Sequence, residues 1–121
     1  MYTNNIIALD AVTADTTGGA FDVSQRELKS IQFIAASITS GNGVFTVEVS
    51  NDGTNFIAYN RLVDNLTKTN TQTDTYVASC TLSSNSSKIY FFPDGDYFRF
   101  IRVLVNMTTD GTYSAILEAC S

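Results

Sequence analysis

The stretch VFTVEVSNDGTNFIAY, residues 44–59, joins an alternating apolar run to a second alternating run through a polar turn, and carries no obvious catalytic group. Phe45, Val47 and Val49 fall on one face of the first run and Val44, Thr46 and Glu48 on the other, the period of two of a half-buried strand. In the turn Asn51-Asp52-Gly53-Thr54, the Asn and Asp side chains can hydrogen-bond their own backbone, and glycine takes the left-handed conformation without steric cost.

The same pattern continues in both directions. Upstream, SIQFIAASIT (30–39) reads as a strand, and SGNG (40–43) between it and Val44 predicts a tight hairpin. Downstream, PDGD (93–96) and TTDGT (108–112) repeat the Asp-Gly turn between strand-like runs and predict two further hairpins. NIIALDAVT, a short AFDVS, TYVASCTL, KIYFF, YFRFIRVLVNM and TYSAILEAC supply the remaining strands. The prediction is an all-β chain, an antiparallel β-sandwich of jelly-roll or immunoglobulin-like type with about eight or nine strands and essentially no helix. SQRELKS (24–30) is too short for more than one helical turn and reads as a loop. The polar, aperiodic DNLTKTNTQTD (64–74) is expected to be the longest connection.

Composition agrees. A chain of 121 residues fits one domain, 1–121, and 44% hydrophobic residues suffice for a packed core. No apolar run is long enough to span a membrane, and MYTNNIIALDAV lacks the basic start of a signal peptide, so the expectation is a chain made and folded in a cytoplasm. There Cys80 and Cys120 are expected as buried thiols more often than as a bridge. A net charge of −5 offers no basic stripe to a phosphate backbone or an anionic lipid surface, so neither nucleic acid nor membrane is expected as a partner.

Catalytic chemistry finds little support. The chain has no histidine, which removes the usual general base and the commonest zinc ligand. Asp94 and Asp96 flank Gly95 in a spacing that calcium or a glycosidase carboxylate pair would use, but a turn accounts for the same three residues. The expectation is a protein without catalytic residues, metal or cofactor, not an enzyme, that works by contact.

Two segments suggest where. If Ile101, Val103, Val105 and Met107 face the core, then Phe100, Arg102, Leu104 and Asn106 share the opposite face, where an Arg between two apolar residues marks a covered surface. The cover is a loop of the same chain, a register shift at a bulge, or a protein partner. Tyr2, Ile6 and Ile7 precede any settled alternation. Residues 1–7 are therefore expected either as an N-terminal arm that docks on a neighbour by strand addition, or as the start of the chain's own first strand. The candidate interface residues are Tyr2, Ile6, Ile7, Phe100, Arg102 and Leu104.

GVFTVEVSNDGTNFIAY, followed after a polar interval by GDYFRFIRVLVNMTTDGTYSAILEA, resembles small β-sandwich structural proteins of tailed-phage virions, of decoration or cement type, over residues 29–119. The resemblance implies a capsid decoration subunit that stabilises the particle by bridging neighbouring capsid subunits. Its partners would be the major capsid protein or another virion protein and copies of itself, as a homo-oligomer, with a trimer expected. Its place would be the virion, after assembly in the host cytoplasm. Similar wording occurs in discoidin-like carbohydrate-binding modules, so the alternative is a receptor- or carbohydrate-binding sandwich of a phage tail or fibre or of a discoidin-like protein. The absence of Trp and His weakens that alternative, and a bare domain starting at Met1 fits a cement subunit better than a fibre.

Overall fold

The computed structural model describes residues 3–24, 26–64, 75–93 and 95–120. They form β1 (Thr3–Val12), β2 (Thr16–Thr17), β3 (Phe21–Asp22), β4 (Leu28–Ala36), β5 (Asn42–Ser50), β6 (Ile57–Ala58), β7 (Leu62–Val63), β8 (Tyr76–Val77), β9 (Cys80–Leu82), β10 (Ser86–Phe91), β11 (Phe100–Thr108) and β12 (Thr112–Cys120), with no helix among the described residues. The all-β sandwich holds; the strand number rises from the expected eight or nine to twelve. The added strands β2 and β7 are two residues long, too short to carry a period-two signal. TYVASCTL divides into β8 and β9, which belong to different sheets.

Every pairing is antiparallel. One sheet runs β1-β12-β4-β10-β7-β8; the other runs β2-β11-β5-β6, with β3 also beside β11 and β9 beside β5. The chain passes from one sheet to the other between β1 and β2, β3 and β4, β4 and β5, β6 and β7, β8 and β9, β9 and β10, β10 and β11, and β11 and β12. This alternation makes the sandwich a jelly roll. It also corrects the hairpin expectations. Of the four turns expected to close hairpins, only Asn51–Thr54 does so, pairing Glu48 with Ala58 and Val49 with Ile57. At the other three the flanking strands, β4 and β5, β10 and β11, and β11 and β12, lie in different sheets instead. Alternation shows which face of a strand is buried, and that face looks the same from either sheet. A glycine at positive φ bends the chain equally well into an arch or a hairpin, as Gly53 (φ 77°) and Gly111 (φ 120°) show.

The two arches at one end are tied together. The Asp110 carboxylate accepts hydrogen bonds from the backbone N–H of Gly41 at 2.9 Å and of Thr39 at 3.2 Å. Phe45, Val47, Val49, Ile101, Val103 and Val105 are all buried, as their alternation predicts, and they share one core with Ile31, Phe33, Tyr113, Ala115 and Leu117 of the opposing sheet. The rings of Phe33 and Phe45 stack across the sandwich at 4.6 Å, and Tyr113 meets Phe45 edge-on at 6.0 Å. Burying each such side chain contributes about 1.5–3 kcal/mol.

Residues 3–7 pair in register with the chain's own β12, from Thr3 opposite Cys120 to Ile7 opposite Ile116, which is the second of the two expectations for this segment. Met1 and Tyr2 lie outside the described residues. The register shifts after Ile7, and Ala8 and Leu9 are both buried. SQRELKS ends inside β4, which starts at Leu28, and of the 64–74 connection only Asp64 is described. Cys80 and Cys120 are free thiols on opposite sheets; Cys80 is buried, and burial pushes its thiol pKa up.

Candidate functional site

Phe100, Arg102 and Leu104 alternate with core residues along β11, so their side chains share its outer face, each partly buried. Arg102 sits opposite Glu48 of β5, and both its Nε (2.8 Å) and its Nη2 (2.7 Å) reach Glu48 Oε1. The ring of Phe56 lies 4.0 Å from the guanidinium, close enough for a cation–π contact. Phe56 is a partner the sequence reading did not single out; it belongs to the turn after β5, which folds back over the sheet. Part of the cover on this face thus comes from a loop of the same chain.

That turn is held from within. Asp52 Oδ1 accepts from the backbone N–H of Asn55 (2.8 Å) and Thr54 (2.9 Å), and Ser50 Oγ accepts from the backbone N–H of Gly53 (3.0 Å). The backbone donors of Asn55 and Thr54, in that order of effect, hold the Asp52 carboxyl far below the usual carboxylate range. Gly53 leaves room for the ring of Phe100, whose Cε2 lies 3.2 Å from the point a Cβ there would occupy.

The other candidates do not join this face. Ile6 and Ile7 lie on β1 in the opposite sheet; Ile6 packs against the core and Ile7 is exposed. Tyr2 lies outside the described residues.

A second feature has no motif in the sequence. Where the turn after β5, the β6–β7 segment and the arch before β11 meet, a cleft of about 470 Å³ is lined by Ile57, Tyr59, Arg61, Asp96, Tyr97 and Phe98, with Asn51 and Asn55 from the turn. Asp96 organises it: Oδ2 accepts from Tyr59 Oη at 2.7 Å and from Arg61 Nε at 2.8 Å. Burial pushes the Asp96 carboxyl up, but the hydrogen bonds from Arg61 and Tyr59 outweigh it, and the net shift is downward. Burial first, then the bond to Asp96, drives the Tyr59 phenol far above its ordinary value. Beneath, the buried Lys29 donates to the Asp96 carbonyl at 3.5 Å and lies 5.0 Å from the Phe98 ring. Asp96, read from the sequence as a turn residue, is therefore the centre of a polar network; Asp94 lies outside the described residues. Among the described residues no group of three or more His, Cys, Asp or Glu side chains is placed to hold a metal ion.

No family model and no curated protein matches the chain. Among solved structures, the fold is similar to that of the SPBc2 prophage-derived protein YomS, 17% identical over 97% of this chain and 93% of that chain, with a TM-score of 0.59. It is also similar to a chain of infectious bursal disease virus, Gx strain, at 9% identity and a TM-score of 0.50, and to a chain of the T13 IBDV viral particle at 7% and 0.53. Each viral match covers 98% of this chain and 31% of the other, so the chain spans about a third of those viral proteins. At these identities the likeness is one of fold: the chain is a β-sandwich of the kind found in a prophage-derived protein and in viral particles.

Proposed function

We propose that the chain is a structural protein of a virion, and within that class a non-enzymatic decoration or cement subunit that bridges neighbouring capsid subunits. The observation that carries this reading is the near end-to-end match in fold with a prophage-derived protein, over 97% of one chain and 93% of the other. The recurrence of the sandwich in viral particles supports it. The outer face of β11 and β5 supplies a surface suited to the role. Arginine and aromatic side chains are enriched at protein interfaces, and here Arg102 is already oriented by Glu48 and Phe56, so little ordering entropy remains to be lost on docking. Leu104 and Phe100 flank it on the same face. The partners would be the major capsid protein or another virion protein, and a homotrimer is the assembly we propose for the chain itself.

The test is sedimentation of purified particles with and without the protein. Stoichiometric association, lost in Leu104→Lys or Phe100→Lys variants that melt like the wild type, is the expected result. A protein absent from intact particles, or one that both variants leave fully bound, ends the reading. Light scattering on the free protein addresses assembly separately: monomer alone at micromolar concentration removes the trimer.

A further inference from the structure

We propose that the cleft around Asp96 binds a neutral saccharide, with Tyr97 and Ile57 as the apolar platform and Asp96 and Arg61 as the hydroxyl-binding pair. The site uses none of Phe100, Arg102 and Leu104 and stands independently of the capsid reading.

Exposure is the starting point. Among the described residues Ile57 (70%) and Tyr97 (72%) are the most exposed of the large hydrophobics, and both line this one cleft. Exposed apolar side chains that converge on a concave surface mark a binding site more reliably than scattered ones. The volume of about 470 Å³ falls within the usual range for small-ligand sites, about 300–1,000 Å³.

The polar groups select the ligand class. Asp96 cannot swing freely, because Tyr59 and Arg61 both hold Oδ2, while Oδ1 accepts no hydrogen bond from any described residue. Arg61 uses Nε for Asp96, and its guanidinium lies 4.8 Å from the Tyr76 ring, which fixes its plane and leaves its terminal N–H groups as donors. A fixed acceptor beside a fixed donor matches a pair of neighbouring hydroxyls, each of which can donate and accept. Asp96 disfavours an anion and Arg61 disfavours a cation, so the pair side by side favours a ligand without formal charge. A wholly apolar ligand would strip water from Asp96 Oδ1 and from the terminal N–H groups of Arg61, which the bond between the two side chains does not satisfy. What remains is a molecule with one C–H face for the electron-rich ring of Tyr97 and a hydroxylated edge for Asp96 and Arg61, which describes a pyranose. The chain has no Trp, but a solvent-facing Tyr supplies the same kind of platform.

The experiment is a titration of the isotope-labelled full chain, followed by amide chemical shifts, with glucose, galactose, mannose, N-acetylglucosamine, maltose, lactose and cellobiose. At least one should give saturable shifts confined to residues 57–61 and 95–98, with a Kd on the order of millimolar or tighter. Tyr97→Ala should weaken it about tenfold or more without changing the melting temperature, since that side chain is exposed. Asp96→Asn should weaken it too, while sodium phosphate should leave these amides unmoved. No response to any of these sugars, equal binding by Tyr97→Ala, or a response to phosphate alone overturns the proposal.

Discussion

The ring of Tyr113 fills the space that a side chain on Gly43 would need: a Cβ placed there would lie 2.6 Å from Tyr113 Cδ1. Tyr113 is fully buried, packs against Phe45 and donates its hydroxyl to the Asp110 carbonyl at 2.9 Å, so it has nowhere to retreat. Gly43→Ala should therefore destabilise the protein by about 1–3 kcal/mol through overpacking. A thermal melt within about a degree of wild type would show that the ring yields.

Asp110 joins the arch after β11 to the arch before β5, accepting from Gly41 across 69 residues of sequence. Asp110→Ala leaves the N–H groups of Thr39 and Gly41 without this acceptor and should cost about 1–3 kcal/mol in urea denaturation. Asp110→Asn retains an acceptor oxygen and should lose less. Equal losses in the two variants would mean that charge, not the hydrogen bond, is what matters there.

Deleting residues 1–7 removes the partners of β12 from Cys120 back to Ile116 and uncovers the core under Ile6. The melting temperature should fall by roughly 8 °C or more, the equivalent of about 2 kcal/mol lost. An unchanged melt accompanied by loss of particle binding would instead restore these residues to the role of an arm.

Acid should act through the carboxyls held low. For Asp52 and Asp96 the folded pKa lies below the ordinary 3.8, so the unfolded chain binds protons first. Their contribution to stability is therefore complete above about pH 4–5 and declines as pH falls through the folded values. Asp52→Asn should flatten the dependence of stability on pH below 4. Tyr59 runs the other way: its folded pKa is raised above 10, so its contribution is full below that pH and is lost in stronger alkali, and Tyr59→Phe should shrink the alkaline loss. Stability profiles of the variants parallel to wild type in these windows would refute the assignment.

The inward faces of β5 and β11 were legible because Phe45, Val47, Val49 and Ile101, Val103, Val105 each alternate without interruption. Sheet membership was not, because the same alternation serves a hairpin and an arch, and Asp-Gly suits both. Phe100, Arg102 and Leu104 were found together because they are spaced by two on one strand. Phe56, their cover, was not legible because it lies between β5 and β6, outside any alternation, and reaches Arg102 only through the path of the turn. The cleft was hidden for a different reason: its walls come from residues 49–61 and 95–98, which meet only after the chain has crossed between sheets. The one local hint was GDYF, where a tyrosine directly after a turn aspartate has no alternation to bury it.

Thr3 pairs with Cys120, and β12 separates β1 from β4 in the sheet. A ribosome therefore releases the first strand long before its neighbour exists. Until residues 112–120 emerge, β1 and β4 each expose an unpaired edge, and the sheet lacks the strand that joins them. The sandwich can close only after residues 112–120 have emerged, because this nine-residue strand is what joins β1 to the rest of its sheet.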